Sequence, residues 1–288
     1  MNRSVVTMVA MSGARGMQRT ALGTLLGITL SLNACSVIPD FMKPSGPPAQ
    51  IRDVPGRYAA VEGYYDETEF TYQDSHGGAL NGVRWKLEVL HPGKFRLDVT
   101  GPEAFRLVSD GAQVGVQGEG AGKLSLQPVP DPLRFYHVSG MMAGYRANPY
   151  LSQSLVLPWV FRELESQADL LLDGQSGVEV GTYWGEECVV FSYDDEAVKR
   201  LWRGKDRAEG GTLRVWLTRY ENKVLREEWQ VRLAPEGGGK REVTLTFQHR
   251  NVRLDAVLEA ERFALVPMPP GGEGAVAGGG PAAGTDGG

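Results

Sequence analysis

Two cysteines, four histidines and one glycine-rich loop are the parts of this 288-residue chain whose residue types could do chemistry. None of them has the spacing of a known reaction centre. Gly118-Glu-Gly-Ala-Gly-Lys123 has the composition of a phosphate cradle. A P-loop, however, needs glycine five residues before Gly122, where Gln117 stands, and serine or threonine after Lys123, where Leu124 stands. Gly174-Gln-Ser-Gly177 lacks the spacing of a nucleophile elbow. His76, His91, His137 and His249 are dispersed, without the short intervals that place two imidazoles on one metal ion. The acid clusters Asp66-Glu67 and Asp194-Asp195-Glu196 sit in turn-like contexts and read as solvated, while a pair of carboxylates gathered from distant strands stays open. Cys188 lies in the strand-like run Cys188-Val-Val-Phe-Ser-Tyr193 with only Glu186 and Glu187 beside it. It therefore reads as a small buried hydrophobe and not as an activated thiol. The expectation is a protein with no catalytic residues, no metal and no cofactor.

The other cysteine, Cys35, stands in a different setting. Arg15 and Arg19 precede the apolar run 21–32, which is followed by Asn33-Ala34-Cys35. The run suits the core of a signal peptide and is too short to span a bilayer, which takes about 20 residues. Positive flank, small residue and cysteine together resemble a bacterial lipoprotein signal, with Leu32-Asn33-Ala34-Cys35 as its lipobox. The plainer alternative is an ordinary secretory signal with a cysteine nearby. The lipobox resemblance implies cleavage after residue 34 and acylation of Cys35, and multiple acyl chains anchor a protein stably to a membrane. Ser36 stands where aspartate would signal retention at the inner membrane, so the resemblance implies the periplasmic side of the outer membrane of a Gram-negative cell. Residues 35–55 contain Pro39, Pro44, Pro47, Pro48 and Pro55 and read as a semi-extended tether.

The elements that would have to position any site are mostly strands. Val83, Trp85, Leu87 and Val89 alternate with Arg84, Lys86 and Glu88, and Phe95, Leu97 and Val99 alternate with Lys94, Arg96 and Asp98. The turns between them are His91-Pro92-Gly93, Gly101-Pro102 and Asp110-Gly111, each with the residues that tight turns require. Period-2 patterning of this kind marks antiparallel strands with one apolar face. It continues through 177–183, 188–193, 212–219, 223–233 and 242–250, where Leu213/Val215/Leu217, Leu225/Trp229/Val231/Leu233 and Val243/Leu245/Phe247 are the apolar sets. A weak helical turn is expected at 57–62, two short helices within 133–172, a short helix or an excursion from the sheet at 197–204, and a last strand at 263–266. The predicted fold is mainly β. About eleven antiparallel strands form one curved sheet, wrapped around a short helical insertion placed midway, since so many twisted strands curl. The domain organisation is a signal peptide at 1–34, the lipidated cysteine and tether at 35–55, the sheet domain at 56–266, and a Gly/Ala/Pro-rich tail at 267–288 with no means of forming a core.

Removal of 1–34 leaves 27 basic residues against 35 acidic, a net charge of −8. No basic cluster is present, which argues against a nucleic-acid partner.

Val89-Leu-His-Pro-Gly-Lys-Phe-Arg-Leu-Asp-Val-Thr-Gly-Pro102, then Phe105-Arg-Leu-Val-Ser-Asp-Gly111, and the closing Phe263-Ala-Leu-Val-Pro267, resemble motifs of the LolA/LolB-like lipoprotein carriers. With the order of elements, the likeness covers roughly 63–267. It implies an open, eleven-stranded half-barrel with a helical lid and an apolar cavity for acyl chains of lipid or lipoprotein cargo. Trp85, Leu87, Phe95, Leu97, Phe105, Leu107, Trp159, Phe161, Trp229 and Phe247 are its candidate lining. The lipobox points to the membrane-anchored LolB-like members, with the membrane, acyl chains and a periplasmic carrier protein as partners. Arg96 matches the family's arginine and Glu103 stands where LolB-like proteins expose leucine, so these two are candidate functional-surface residues. A structural or regulatory envelope lipoprotein that binds a protein partner is the alternative.

Overall fold

A computed structural model describes residues 50–102, 104–118, 123–144, 148–163, 171, 173–235 and 239–267. Cys35, the lipobox, most of the tether, Glu103 and the chain beyond 267 lie outside the described residues.

Eleven antiparallel strands form one open sheet in the order β6-β5-β4-β3-β2-β1-β11-β10-β9-β8-β7. They are β1 Gly63–Asp74, β2 Ala79–Leu90, β3 Lys94–Thr100, β4 Phe105–Asp110, β5 Gln113–Gly118 and β6 Ser125–Pro128, then β7 Gln175–Tyr183, β8 Glu186–Tyr193, β9 Arg207–Thr218, β10 Val224–Ala234 and β11 Arg241–Leu254. Each half is a meander, and the halves join where β1 pairs with β11. The order has a consequence for the middle of the chain. The chain leaves the sheet at one edge, β6, and re-enters at the opposite edge, β7. The connection between them contains α2 (Phe135–Gly144), a 3₁₀ turn at Leu151–Gln153 and α3 (Val156–Val160). With α1 (Asp53–Ala60), which also contributes to the core, it covers the concave face.

The alternation in the sequence is the alternation of the sheet. Trp85, Leu87 and Val89 of β2 stand opposite Val99, Leu97 and Phe95 of β3, and Leu97 and Val99 stand opposite Leu107 and Phe105 of β4. All of them belong to a single core that runs from β5 to β8 and includes Tyr58, Phe135, Val138, Leu151 and Trp159 of the cover. A smaller cluster of Cys188, Val190 and Leu225, with Tyr183 and Trp216 packed on it, lies apart from that core.

Four local expectations change. Helix α1 begins at Asp53, earlier than the turn expected at 57–62, because Val54 and Tyr58 lie one turn apart and both are fully buried. Leu225 is not in the inward set with Trp229. The pairing of β10 with β9 slips between Val224 and Arg226, which turns Val224 into the main core and leaves Leu225 in the smaller cluster. The stretch 263–266 is not a strand. A 3₁₀ turn, Ala260–Phe263, lies against β3 and β4, which already have partners on both sides and offer no free edge. It is held instead by Arg262 donating to Glu88, and by Arg96 and Arg106 donating to the carbonyls of Arg262 and Val266 at 3.4 and 3.1 Å. Asp66 is not solvated, as described below.

The Gly101-Pro102 turn depends on its glycine. Gly101 has φ +106°, and a Cβ there would stand 2.5 Å from the carbonyl oxygen of Gly82. Gly101→Ala should therefore cost about 1–3 kcal/mol, the scale of a residue forced into a sparsely populated conformation, read as a lower urea midpoint.

Candidate functional site

The concave face is built from inward positions of alternate residues, so every second side chain of a long strand points at the cover. The ten candidate lining residues all reach this core. Eight stand on the sheet and two, Trp159 and Phe161, in and just after α3. The face is packed: Trp159, Trp229, Phe95 and Phe247 are wholly buried. Tyr58 of α1 lies 5.6 Å from Tyr64 of β1 and 5.7 Å, edge-on, from Trp159 of α3. Phe161 meets Phe95 edge-on at 5.3 Å, and Tyr150 stacks on Tyr72 at 5.3 Å. Ring pairs at these separations prefer such tilted and edge-on geometry.

Between the apolar rings lies a polar group that the strand pattern contained but did not join. Asp66 and Thr68 are at inward positions of β1, Glu227 of β10 and His249 of β11. The His249 ring sits between two carboxylates, with Nδ1 2.7 Å from Asp66 and Nε2 3.1 Å from Glu227. Thr68 donates to Asp66 at 2.9 Å. Carboxylates only accept, so both ring nitrogens carry protons and His249 is an imidazolium. Burial by itself would lower its pKa. The charges and hydrogen bonds of Asp66 and Glu227 outweigh burial and hold it at about 10.

The same Glu227 carboxylate holds the cover. It accepts from the Ser154 hydroxyl and the Leu155 N–H, both at 2.8 Å. Arg203 grips the same loop from the other side, donating through Nη2 to the carbonyls of Ser152 and Ser154 at 2.8 and 2.9 Å. Burial lowers the Arg203 pKa to about 10, which leaves the guanidinium charged at neutral pH. Tyr58 accepts the Val224 N–H at 2.8 Å, and His91 Nε2 donates to the Val160 carbonyl at 3.0 Å. The cover is thus an apolar layer pinned from beneath by polar contacts, those of Glu227, Arg203, Tyr58 and His91 among them.

His249 is not placed as a free base in this arrangement. Both His249 nitrogens are engaged, and the Ser154 hydroxyl gives its proton to Glu227 and not to an imidazole. Among the described residues no group of histidine, cysteine and carboxylate side chains is placed to hold a metal ion. Burial pushes the Cys188 thiol above its ordinary value, which removes nucleophilic character. Arg96 lies outside the core and pairs with Asp98 at 2.7 Å, while Arg106 donates to the other oxygen of Asp98. Sequence reasoning missed Asp66, Glu227 and His249. The available signal was an ionisable residue at an inward position of an otherwise apolar set.

Clefts formed by the described residues include two on the surface. One, of about 500 Å³, lies at the end of the β2–β3 hairpin, lined by His91, Pro92 and Lys94, by Val129 to Arg134, and by Phe161 and Arg162. The other, of about 480 Å³, is lined by Trp184, Glu186, Glu221, Lys223, Leu225 and the stretch from His249 to Val252. Trp184 at its edge is half exposed, with the Arg250 guanidinium 4.9 Å from its ring centre.

The class defined by this architecture is an open antiparallel half-barrel with a helical cover. No family model matches the chain, and no curated protein matches its sequence. Solved structures similar to it include the lipoprotein LppX of Mycobacterium tuberculosis, at 12% identity and TM-score 0.38 over 72% of this chain and 94% of that one. A DUF1329 family protein from Desulfovibrio piger is similar at 11% identity and TM-score 0.30, over 74% and 94%. A LolA superfamily protein from Nitrosomonas europaea is similar at 8% identity and TM-score 0.29, over 75% and 98%. At these identities and scores nothing of their ligands carries over, and the topology above stands on its own strands.

Proposed function

We propose that this chain is a lipid-anchored envelope protein that takes acyl chains of lipids or lipoproteins between its curved sheet and its helical cover. Cys35 carries the anchor, and the domain faces the periplasm from the outer membrane. The observation that carries the reading is the manner in which the apolar face is closed. A second sheet would be tied to the first by a continuous packed interface. Here short helical pieces lie over a broad aromatic and aliphatic trough, fixed by the contacts of Glu227, Arg203, Tyr58 and His91. Displacing α3 and the Leu151–Gln153 turn exposes Trp85, Phe95, Trp229 and Phe247 as a wall that an acyl chain can cover in their place. Loss and gain of apolar contact then nearly balance, which suits a carrier or acceptor that must release its cargo.

Brominated fatty acids test this. They quench tryptophan fluorescence on contact, and Trp85, Trp159 and Trp229 all lie in the core. A Cys35→Ala protein should show saturable quenching and should carry lipid detectable by mass spectrometry after extraction. Absence of both overturns the reading. The second cleft supports the alternative of a protein partner, because half-exposed Trp184 is the type of side chain that anchors interfaces. On that alternative Trp184→Ala abolishes partner binding and leaves bromolipid quenching unchanged.

A further inference from the structure

We infer that the cleft at the end of the β2–β3 hairpin is the port through which an anionic amphiphile enters, its acyl chain passing inward over Val89 and Phe161 and its charged head held by Lys94, Arg134 and Arg162. This rests on the acyl-binding reading and specifies the ligand class.

Three observations converge on it. First, the floor of the cleft is continuous with the core. Val89 and Phe161 belong to the core itself, and Val129 and Leu133 pack against it. A chain entering here meets apolar surface without crossing a polar layer. Second, the rim is cationic in a protein of net negative charge. Lys94, Arg134 and Arg162 line the cleft, with Asp131 as the one acidic residue among its described lining. Several arginines of the sheet are bound to carboxylates, as Arg106 to Asp98, Arg232 to Asp195 and Arg250 to Glu69. Among the described residues these three cations form no close carboxylate pair: Lys94 faces Asp110 across β3 and β4 only at longer range, and the Arg134 guanidinium donates to the Arg162 carbonyl at 3.2 Å. Third, the site sits where the cover meets the sheet. His91, in the wall, donates to the Val160 carbonyl at the end of α3, and the next residue but one, Arg162, is held in a left-handed conformation at φ +59°. Non-glycine residues pay for that geometry and keep it where the surroundings impose it. Burial, and then the Arg162 charge, lower the His91 pKa, so the wall stays neutral and the cations are those of the rim.

A head group with a carboxylate or a phosphate satisfies this rim, and the test separates the two. The Cys35→Ala protein is titrated with dodecanoate, with lauroyl lyso-phosphatidylglycerol and with monolauroylglycerol, which is neutral, each below its micellar concentration. Both anions should bind more tightly than the neutral probe. Lys94→Gln/Arg134→Gln/Arg162→Gln should cut anion affinity about tenfold, the product of three exposed charge contacts worth a factor of about two each, and leave the neutral probe unchanged. Raised salt should act in the same direction. Preference for only one anion identifies the head group and supports the port. Equal binding of all three probes, or an anion preference that survives the substitutions, overturns the port while the acyl-binding reading stands. No binding of any probe overturns both. Because Arg134 also holds a backbone carbonyl, Lys94→Gln/Arg162→Gln, which removes no side-chain hydrogen bond among the described residues, is measured beside the triple variant and should show a smaller loss in the same direction.

Discussion

Replacing His249 with leucine should destabilise the protein by about 3–5 kcal/mol, the cost of removing one partner from a buried ion cluster and leaving its opposite charges uncompensated. Two carboxylates, Asp66 and Glu227, lose their shared counter-ion, and both side chains are almost wholly inaccessible to water. Urea midpoints of the wild type and the variant measure it. The effect should also depend on pH, with a definite sign. The folded state raises the His249 pKa from 6.5 to about 10, so it binds a proton that the unfolded chain releases. The stabilisation is complete below pH 6.5 and declines as pH rises toward 10. The gap between wild type and His249→Leu should therefore be wide at pH 6 and narrower at pH 9.5. A gap that is constant or grows with pH means that His249 is neutral in the fold. Replacing all three members together, as Asp66→Asn/Glu227→Gln/His249→Leu, should recover part of the loss, since no buried charge is then left unpaired.

The second large effect concerns the cover. Trp159 is wholly buried in a helix of five residues and meets Tyr58 edge-on. Trp159→Ala should cost about 3–5 kcal/mol through lost transfer energy and the void left behind. Because α3 is too short to be stable by itself, the loss should fall on the cover more than on the sheet. Hydrogen exchange of 151–161 should speed up while β2, β3 and β11 stay protected, and bromolipid should enter faster than in the wild type. A variant that is destabilised as expected but admits lipid no faster would show that α3 is not the element that moves. Trp184→Ala is the control. That ring is half exposed, and its loss should change stability by no more than about 0.5 kcal/mol.

How much of this was legible in the sequence depends on the range of the interaction involved. Strand alternation from Val83 to Val116 and the turns at Pro92-Gly93, Gly101-Pro102 and Asp110-Gly111 are local, and they appear in the fold as read. The fate of Leu225 was not legible, because a bulge is a property of two strands and not of one. Nor was the 3₁₀ turn at Ala260–Phe263, whose conformation follows from β3 and β4 having no free edge. Asp66 shows the limit most clearly. Beside Glu67 it resembles a solvated pair, and only the pairing of β1 with β11 sets it against His249.

The sequence by itself therefore determined the eleven strands of the sheet in outline, most of their turns, the inward set of each apart from Leu225, and the presence of short helices between the two meanders. Those features rest on side-chain period and on turn conformation, which neighbouring residues impose on one another. The tertiary structure alone decided that β1 lies beside β11, and that the connection from β6 to β7 starts at one edge of the sheet and ends at the other. It alone decided that Asp66, Glu227 and His249 meet beneath the cover, and that Lys94, Arg134 and Arg162 gather around one cleft where the cover meets the sheet. Each of these brings together residues far apart in the chain, and their contacts exist only after the sheet has closed the distance.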